Sequence, residues 1–316
     1  MTLPASLPRS GLAAQTSREL GITHLVVPQE ASGERLDRFV AEHASVGSRA
    51  AAARLIDAGA VVVDGEVRPR AHRVAAGAVV VLTVPEPVQA PLPDEDVEVV
   101  HADERLLVVV KPAGLLVHGV PGHGGPTLAA ALAGRAGGGP PGRAGIVHRL
   151  DRDTSGLLLV ARDEETLRRL QAQLRRRRIR RTYTALVRGR PPSRTGRIEA
   201  PIGRDRRDPV RQSLDTDNPR DAVTRFELVE ALSERSLLRV ELETGRTHQI
   251  RVHLAAIGHP VVGDPVYGHG PELGLDHQFL HASELHFTHP WTGEEIEVSA
   301  PLPPDLEAAL GLARSA

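Results

Sequence analysis

The chain has 316 residues, of which 41% are apolar and 25% charged, and a formal net charge of -1. That balance excludes a uniformly basic nucleic-acid binder, so any nucleic-acid partner would have to be met by local patches. The complete absence of cysteine excludes disulfides, thiolate metal sites and thiol nucleophiles.

Length alone predicts two domains. Residues 1–23, with Pro4, Pro8, Gly11 and Gly21 and no periodicity, read as a poorly ordered extension. A first domain is expected over 24–84. There Leu36, Phe39 and Val40 have helical spacing, Ser48 is positioned to cap a second helix through Leu55 and Ile56, and Gly59 stops it. Val61 to Val63, the pair Asp64-Gly65 and Val67 then predict a tight hairpin, with a further strand over Val79 to Val84. The stretch PEPVQAPLP favours extended backbone and marks a Pro-rich linker over 85–94.

A second domain is expected over 95–316. Leu106 to Val110 and Leu157 to Ala161 are apolar runs of strand length, separated by a Gly/Pro-rich loop from Gly134 to Gly145. Asp163 can cap a helix whose Leu167, Leu170 and Leu174 share one face, and Leu237 to Leu242 reads as a later strand. This mixture predicts an α+β fold. No window approaches the roughly 18 apolar residues of a membrane span, and the first residues lack a signal-peptide core. The expectation is a cytoplasmic protein with no membrane partner.

The order helix, helix, hairpin over Gly33 to Val84 resembles the α-L RNA-binding domain of the ribosomal protein S-four type. The resemblance implies a basic RNA-facing surface around Arg35, Ser48 and Arg49, extended by Arg68, Arg70 and Arg73 through phosphate contacts. Ala50 to Ala53 depart from the pattern, since polar or basic residues are common there.

In HRLDRDTSG, from His148 to Gly156, local chemistry alone predicts a turn built from Asx and Ser/Thr hydrogen bonds. Four ordered stretches say more. HRLDRDTSGLLLVAR, KPAGLLVH (Lys111 to His118), RRTYTALVRG and GRTHQIRVHLAAIGHPVVGDPVYG (Gly245 to Gly268) together resemble the RluA-type pseudouridine synthases. The resemblance spans Val97 to Leu306 and implies a synthase domain with a central, mostly antiparallel or mixed β-sheet.

It also implies roles. Asp151 would be the essential carboxylate, either attacking the ribose or removing a sugar proton. Arg251 would pair with it and stabilise its charge. Tyr183 would stack on the target base and take the proton from the newly joined carbon. Arg149 would fill the gap left by a flipped base, between apolar walls at Leu150 and Ile250. Lys111 and Pro112 would support the site from a neighbouring loop, with a surface lysine before a turn as the plainer reading.

The run Arg175, Arg176, Arg177, Arg178, Ile179, Arg180, Arg181 complements a helix C-terminus, but six arginines exceed that need and suggest phosphate binding. The fifteen histidines carry no HExxH spacing, and Ser155 lacks a GxSxG elbow, so neither a metal hydrolase nor a serine hydrolase is expected. The expected activity is therefore a cofactor-free, monomeric isomerase acting on 23S ribosomal RNA or its large-subunit precursor. A transfer-RNA enzyme and a catalytically silent RNA-binding or ribosome-assembly factor remain the alternatives. Arg251→Ala is expected to lose activity with little loss of fold.

Overall fold

The computed structural model describes residues 22–43, 46, 49–83, 97–119, 125–140, 142–208 and 211–315. The segment to residue 21, Ser48, Val84 and the linker lie outside the described residues. Contacts divide the chain into two compact units, the first mainly of residues up to 90 and the second mainly of residues beyond.

The first unit contains β1 (Ile22–Val26), α1 (Leu36–Ala41), α2 (Arg49–Asp57), β2 (Val61–Val63), β3 (Glu66–Val67) and β4 (Val79–Thr83). Its sheet has the order β1-β4-β2-β3, all antiparallel. The hairpin turns where expected, with Asp64 and Gly65 both at positive φ (51° and 82°), as a two-residue turn matching strand twist requires. Leu36, Phe39 and Val40 from α1 pack with Val61, Val63, Val80 and Leu82 from the sheet. Ile22 and Thr23, assigned above to the extension, instead pair with Thr83 and Leu82. The alternating stretch ITHLV covers an edge of β4 that would otherwise leave its ladder unpaired.

The second unit runs β5 (Val99–Ala102), β6 (Leu106–Lys111), α3 (Leu128–Ala131), β7 (Ser155–Ala161), α4 (Glu164–Arg175), β8 (Arg180–Arg188), β9 (Thr195–Glu199), β10 (Gly203–Arg204), β11 (Gln212–Ser213), β12 (Val223–Ala231), β13 (Arg235–Leu242), α5 (Gln249–Ala256), β14 (Leu280–Thr288), β15 (Glu295–Ser299) and α6 (Pro304–Ser315). Its main sheet has the order β5-β6-β7-β14-β8-β13-β12-β9, with β15 on β14. Every pairing is antiparallel except β7 with β14. The fold is α+β with a mixed sheet, as expected.

Both faces of the sheet are covered, which explains the unbroken apolar run in β7. Leu158 and Val160 join the core that also holds Ile250 and Leu254 of α5 and Leu306 and Leu310 of α6. Leu157, Leu159 and Ala161 face the opposite core, with Leu167 and Leu170 of α4. As expected, Asp163 caps α4 by accepting from the Thr166 backbone N–H at 2.8 Å.

Strand β7 starts two residues earlier than the apolar run implied. Ser155 and Gly156, read above as turn residues, pair with His281 and Ala282 of β14. Gly156 sits at φ 113°, and a Cβ there would lie 2.3 Å from the Ala282 carbonyl oxygen. Only glycine allows that approach.

Candidate active site

A cleft of about 430 Å³ opens in the second unit. Asp151, Tyr183 and Arg251 all line it, although they are far apart in sequence. So do Arg149, Leu150 and Ile250. Its walls carry six arginines, at 149, 175, 177, 181, 246 and 251, against two carboxylates, Asp151 and Glu243.

Asp151 lies just before β7, in a turn closed by the Thr154 N–H donating to the Asp151 carbonyl at 3.2 Å. Thr154 is buried and accepts from Gln278 Nε2 at 3.1 Å. Arg152 and Asp153 satisfy each other at 2.9 and 3.0 Å, so the alternating charges of this stretch divide into a local pair and a carboxylate, Asp151, left to face the cleft.

Lys111 is not a surface lysine. It is fully buried, and its Nζ donates to the carbonyls of Pro112 at 2.7 Å, Leu115 at 2.9 Å and Arg152 at 2.7 Å. Burial pulls its ammonium down to about 7, against the attraction of Asp153 and Asp151. Three carbonyls use all three ammonium donors, which favours the charged form. One of them belongs to the residue after Asp151, so Lys111 ties the KPAG turn to the Asp151 loop. Lys111→Met is expected to cost about 3 kcal/mol or more in urea unfolding, because buried carbonyls lose their donor. An unchanged urea midpoint would refute this tie.

Arg251 belongs to α5, whose first turn is organised by Gln249. The Gln249 Oε1 accepts from Thr244 Oγ1 at 2.8 Å and from the Arg246 N–H at 3.0 Å. The Arg251 Nη1 lies 3.6 Å from Asp151 Oδ2, so the expected pair is present as a loose one. The tight partner is Asp264, which takes Nε at 2.6 Å and Nη2 at 2.8 Å in a two-pronged bond. Asp264 is 0% exposed and also accepts the N–H groups of Val266 and Tyr267. Burial would raise its carboxyl, but Arg251 and these backbone donors together hold it below the usual carboxylate range.

Sequence reasoning missed Asp264, though it stood inside the quoted GDPVYG. It missed Tyr267 too. Arg251 and Arg211 approach the Tyr267 ring at 5.0 and 5.2 Å. The hydroxyl accepts from the Gln212 N–H at 2.9 Å and lies 2.8 Å from His248 Nδ1. Burial lowers His248, so the neutral ring can accept the hydroxyl proton. His248 takes a left-handed φ of 56° and meets the Tyr267 ring edge-on, with centroids 5.6 Å apart. Among the described residues no group of His, Asp and Glu is arranged to hold a metal ion.

Tyr183 is both a core residue and a cleft residue, 3% exposed on β8. Burial raises its phenol above the ordinary value. Leu150 and Ile250 are buried beside it as apolar wall, while Arg149 is exposed.

The arginine run is divided by the fold. Arg175 ends α4, Arg177 takes a left-handed φ of 57° and pairs with Glu243 at 3.0 Å, and Arg181 is buried in β8. These three line the cleft. Arg176 and Arg178 are exposed away from it, and Arg180 bonds His286.

In the first unit, Arg35 and Arg49 both bond Asp37, at 3.0 Å each, and hold its carboxyl far below the usual range. Arg68 pairs with Glu66, Arg70 with Asp57, and Arg73 donates to the Gly33 carbonyl. Surface pairs of this kind are worth roughly 0–1 kcal/mol, so they can exchange partners readily.

A family model described as RNA pseudouridylate synthase matches residues 105–256, and an S4 domain model matches residues 34–80. An RNA pseudouridine synthase of Chloroflexus aurantiacus is 49% identical, over 90% of this chain and 92% of that one. Ribosomal large subunit pseudouridine synthase D of Xanthomonas campestris is 39% identical, over 96% of each chain. The solved structure of human RNA pseudouridylate synthase domain containing 1 superposes with a TM-score of 0.56 at 29% identity, covering 69% of this chain and 89% of that chain. With the fold, the two matched domains and full-length relatives in agreement, the chain belongs to the RNA pseudouridine synthase family.

Proposed function

We propose that this enzyme converts uridine to pseudouridine in large-subunit ribosomal RNA, with Asp151 as its reactive carboxylate. The observation that carries this reading is one carboxylate set 3.6 Å from a buried arginine, in a cleft walled by six arginines. Such a site suits a polyanion that presents a single reacting sugar. The large-subunit assignment draws on the similarity to ribosomal large subunit pseudouridine synthase D, matched over nearly its whole length.

The reaction is an isomerisation. The bond from C1′ to N1 breaks, the uracil turns, C5 bonds to C1′, the C5 proton leaves, and N1 takes up a proton in its place. No electrons are gained or lost. Asp151 would hold the sugar meanwhile, by attack on C1′ or by taking a sugar proton, with Arg251 balancing its charge. The reacting atoms are inaccessible in a stack, so the base must be extruded. Arg149 is exposed at the rim, where it could occupy the vacated space, and the Tyr183 ring with Leu150 and Ile250 offers a flat apolar seat. A phenol raised by burial is protonated at neutral pH, which favours stacking over proton removal as the role of Tyr183.

The test is a pseudouridine map of ribosomal RNA from a host lacking this gene, complemented with wild type or Asp151→Asn. Large-subunit sites restored by wild type alone are expected. Restoration only in transfer RNA, or at no site, would overturn the assignment.

A further inference from the structure

Arg181 presents an unbalanced charge. It is 8% exposed, its Nε is buried without a hydrogen-bond partner, and among the described residues no carboxylate pairs with it. The two carboxylates of the cleft are engaged elsewhere. Glu243 is shared by Arg177 at 3.0 Å, Arg225 at 2.8 Å and Arg197 at 3.6 Å, while Asp151 faces Arg251. A desolvated cation with no counter-charge destabilises a fold unless a ligand completes it.

The pocket around it is also shaped. Gly245 faces Arg181, and a Cβ there would lie 2.8 Å from Nη1. Gly245 has no positive φ, so space rather than backbone conformation accounts for glycine at this position. Arg181 and Tyr183 stand two apart on β8, hence on one face, and both line the cleft with Asp151.

We infer that Arg181, seated against Gly245, binds a backbone phosphate flanking the target uridine. This rests on the reading of the cleft as the RNA-modifying site. Phosphate is the anionic group of RNA, and the place beside Tyr183 selects the reacting nucleotide over more distant ones. Of the six arginines in the run, this one would act at the reacting nucleotide.

The test combines inorganic sulfate as an anion probe with ribosomal RNA as substrate, using the full chain. Arg181→Met is expected to melt a few degrees above wild type without sulfate, since the buried charge is gone. Sulfate should raise the wild-type melting temperature more than that of the variant, whose remaining rise reports general salt exclusion and the other arginines. With RNA, kcat/KM should fall about 100-fold, and the slope of log affinity against log salt should flatten by about 0.7–0.9, the value of one phosphate contact. Gly245→Val keeps the arginine but fills the space beside Nη1 with a branched side chain, so it should lose the extra sulfate response as well. It decides the matter if Arg181→Met misfolds.

Equal sulfate responses in wild type and variants, or an unchanged salt slope, would overturn the seat. A loss of turnover with unchanged slope would also overturn it, because Arg181 would then act on the chemistry. If wild type modifies no ribosomal RNA, the substrate reading fails, while the sulfate response still judges the anion seat.

Discussion

Asp151→Asn is expected to lower pseudouridine formation on the order of 10³-fold or more while leaving RNA affinity unchanged or slightly tighter. The amide has the size of the carboxylate, so the turn closed by Thr154 and anchored by Lys111 should persist. It can neither attack a sugar carbon nor remove a proton at neutral pH. Removing one negative charge from a cleft with six arginines against two carboxylates gives RNA no reason to leave. Tritium at uracil C5 reports turnover directly, since that hydrogen is lost when C5 joins the sugar. Binding is read separately by fluorescence anisotropy. Wild-type tritium release from the variant would remove Asp151 from the chemistry.

Asp264→Ala is expected to be the most destabilising change in the cleft, costing about 3–5 kcal/mol, because it strands the Arg251 guanidinium in a buried place. It also frees the Arg251 side chain from the two-pronged bond that aims Nη1 at Asp151, so turnover should fall with stability. The same bond revises the expectation for Arg251→Ala. Removing the arginine leaves a fully buried carboxylate without its main partner, so that variant should lose fold as well as activity. A double variant, Asp264→Leu with Arg251→Met, separates the two effects. Replacing both charges with apolar groups should recover much of the stability in urea unfolding and none of the turnover. If Asp264→Ala unfolds at the wild-type urea concentration, the pair is not a structural support.

What the sequence disclosed follows from how local each feature is. Asp64-Gly65 and the cap at Asp163 declare themselves within four residues, because turn and cap chemistry is short-ranged. The stretch around Asp151 is equally contiguous, so the family resemblance could single out that carboxylate as the candidate. Lys111 could not, since lysine is rarely buried and its third carbonyl comes from a loop 41 residues away. Asp264 was hidden for a related reason. Its carboxylate is 13 residues from Arg251, and the segment between them gives no periodic signal for their meeting. The arginine run shows the opposite case, a contiguous stretch whose residues the fold divides between a helix end, a left-handed turn and a strand.

The parallel contact between β7 and β14 also bears on when this enzyme can first act. Strand β14 lies between β7 and β8 in the sheet, yet Ser155 meets its His281 partner across 126 residues of chain. During synthesis the Asp151 side and the Tyr183 side of the cleft therefore exist as separate half-sheets until the segment around residue 282 has left the ribosome. Such long-range closure is slow compared with the local helices and hairpin of the S4 domain. The S4 domain is thus ready for RNA well before the chemistry is, and modification activity arrives only once β14 has joined the two half-sheets.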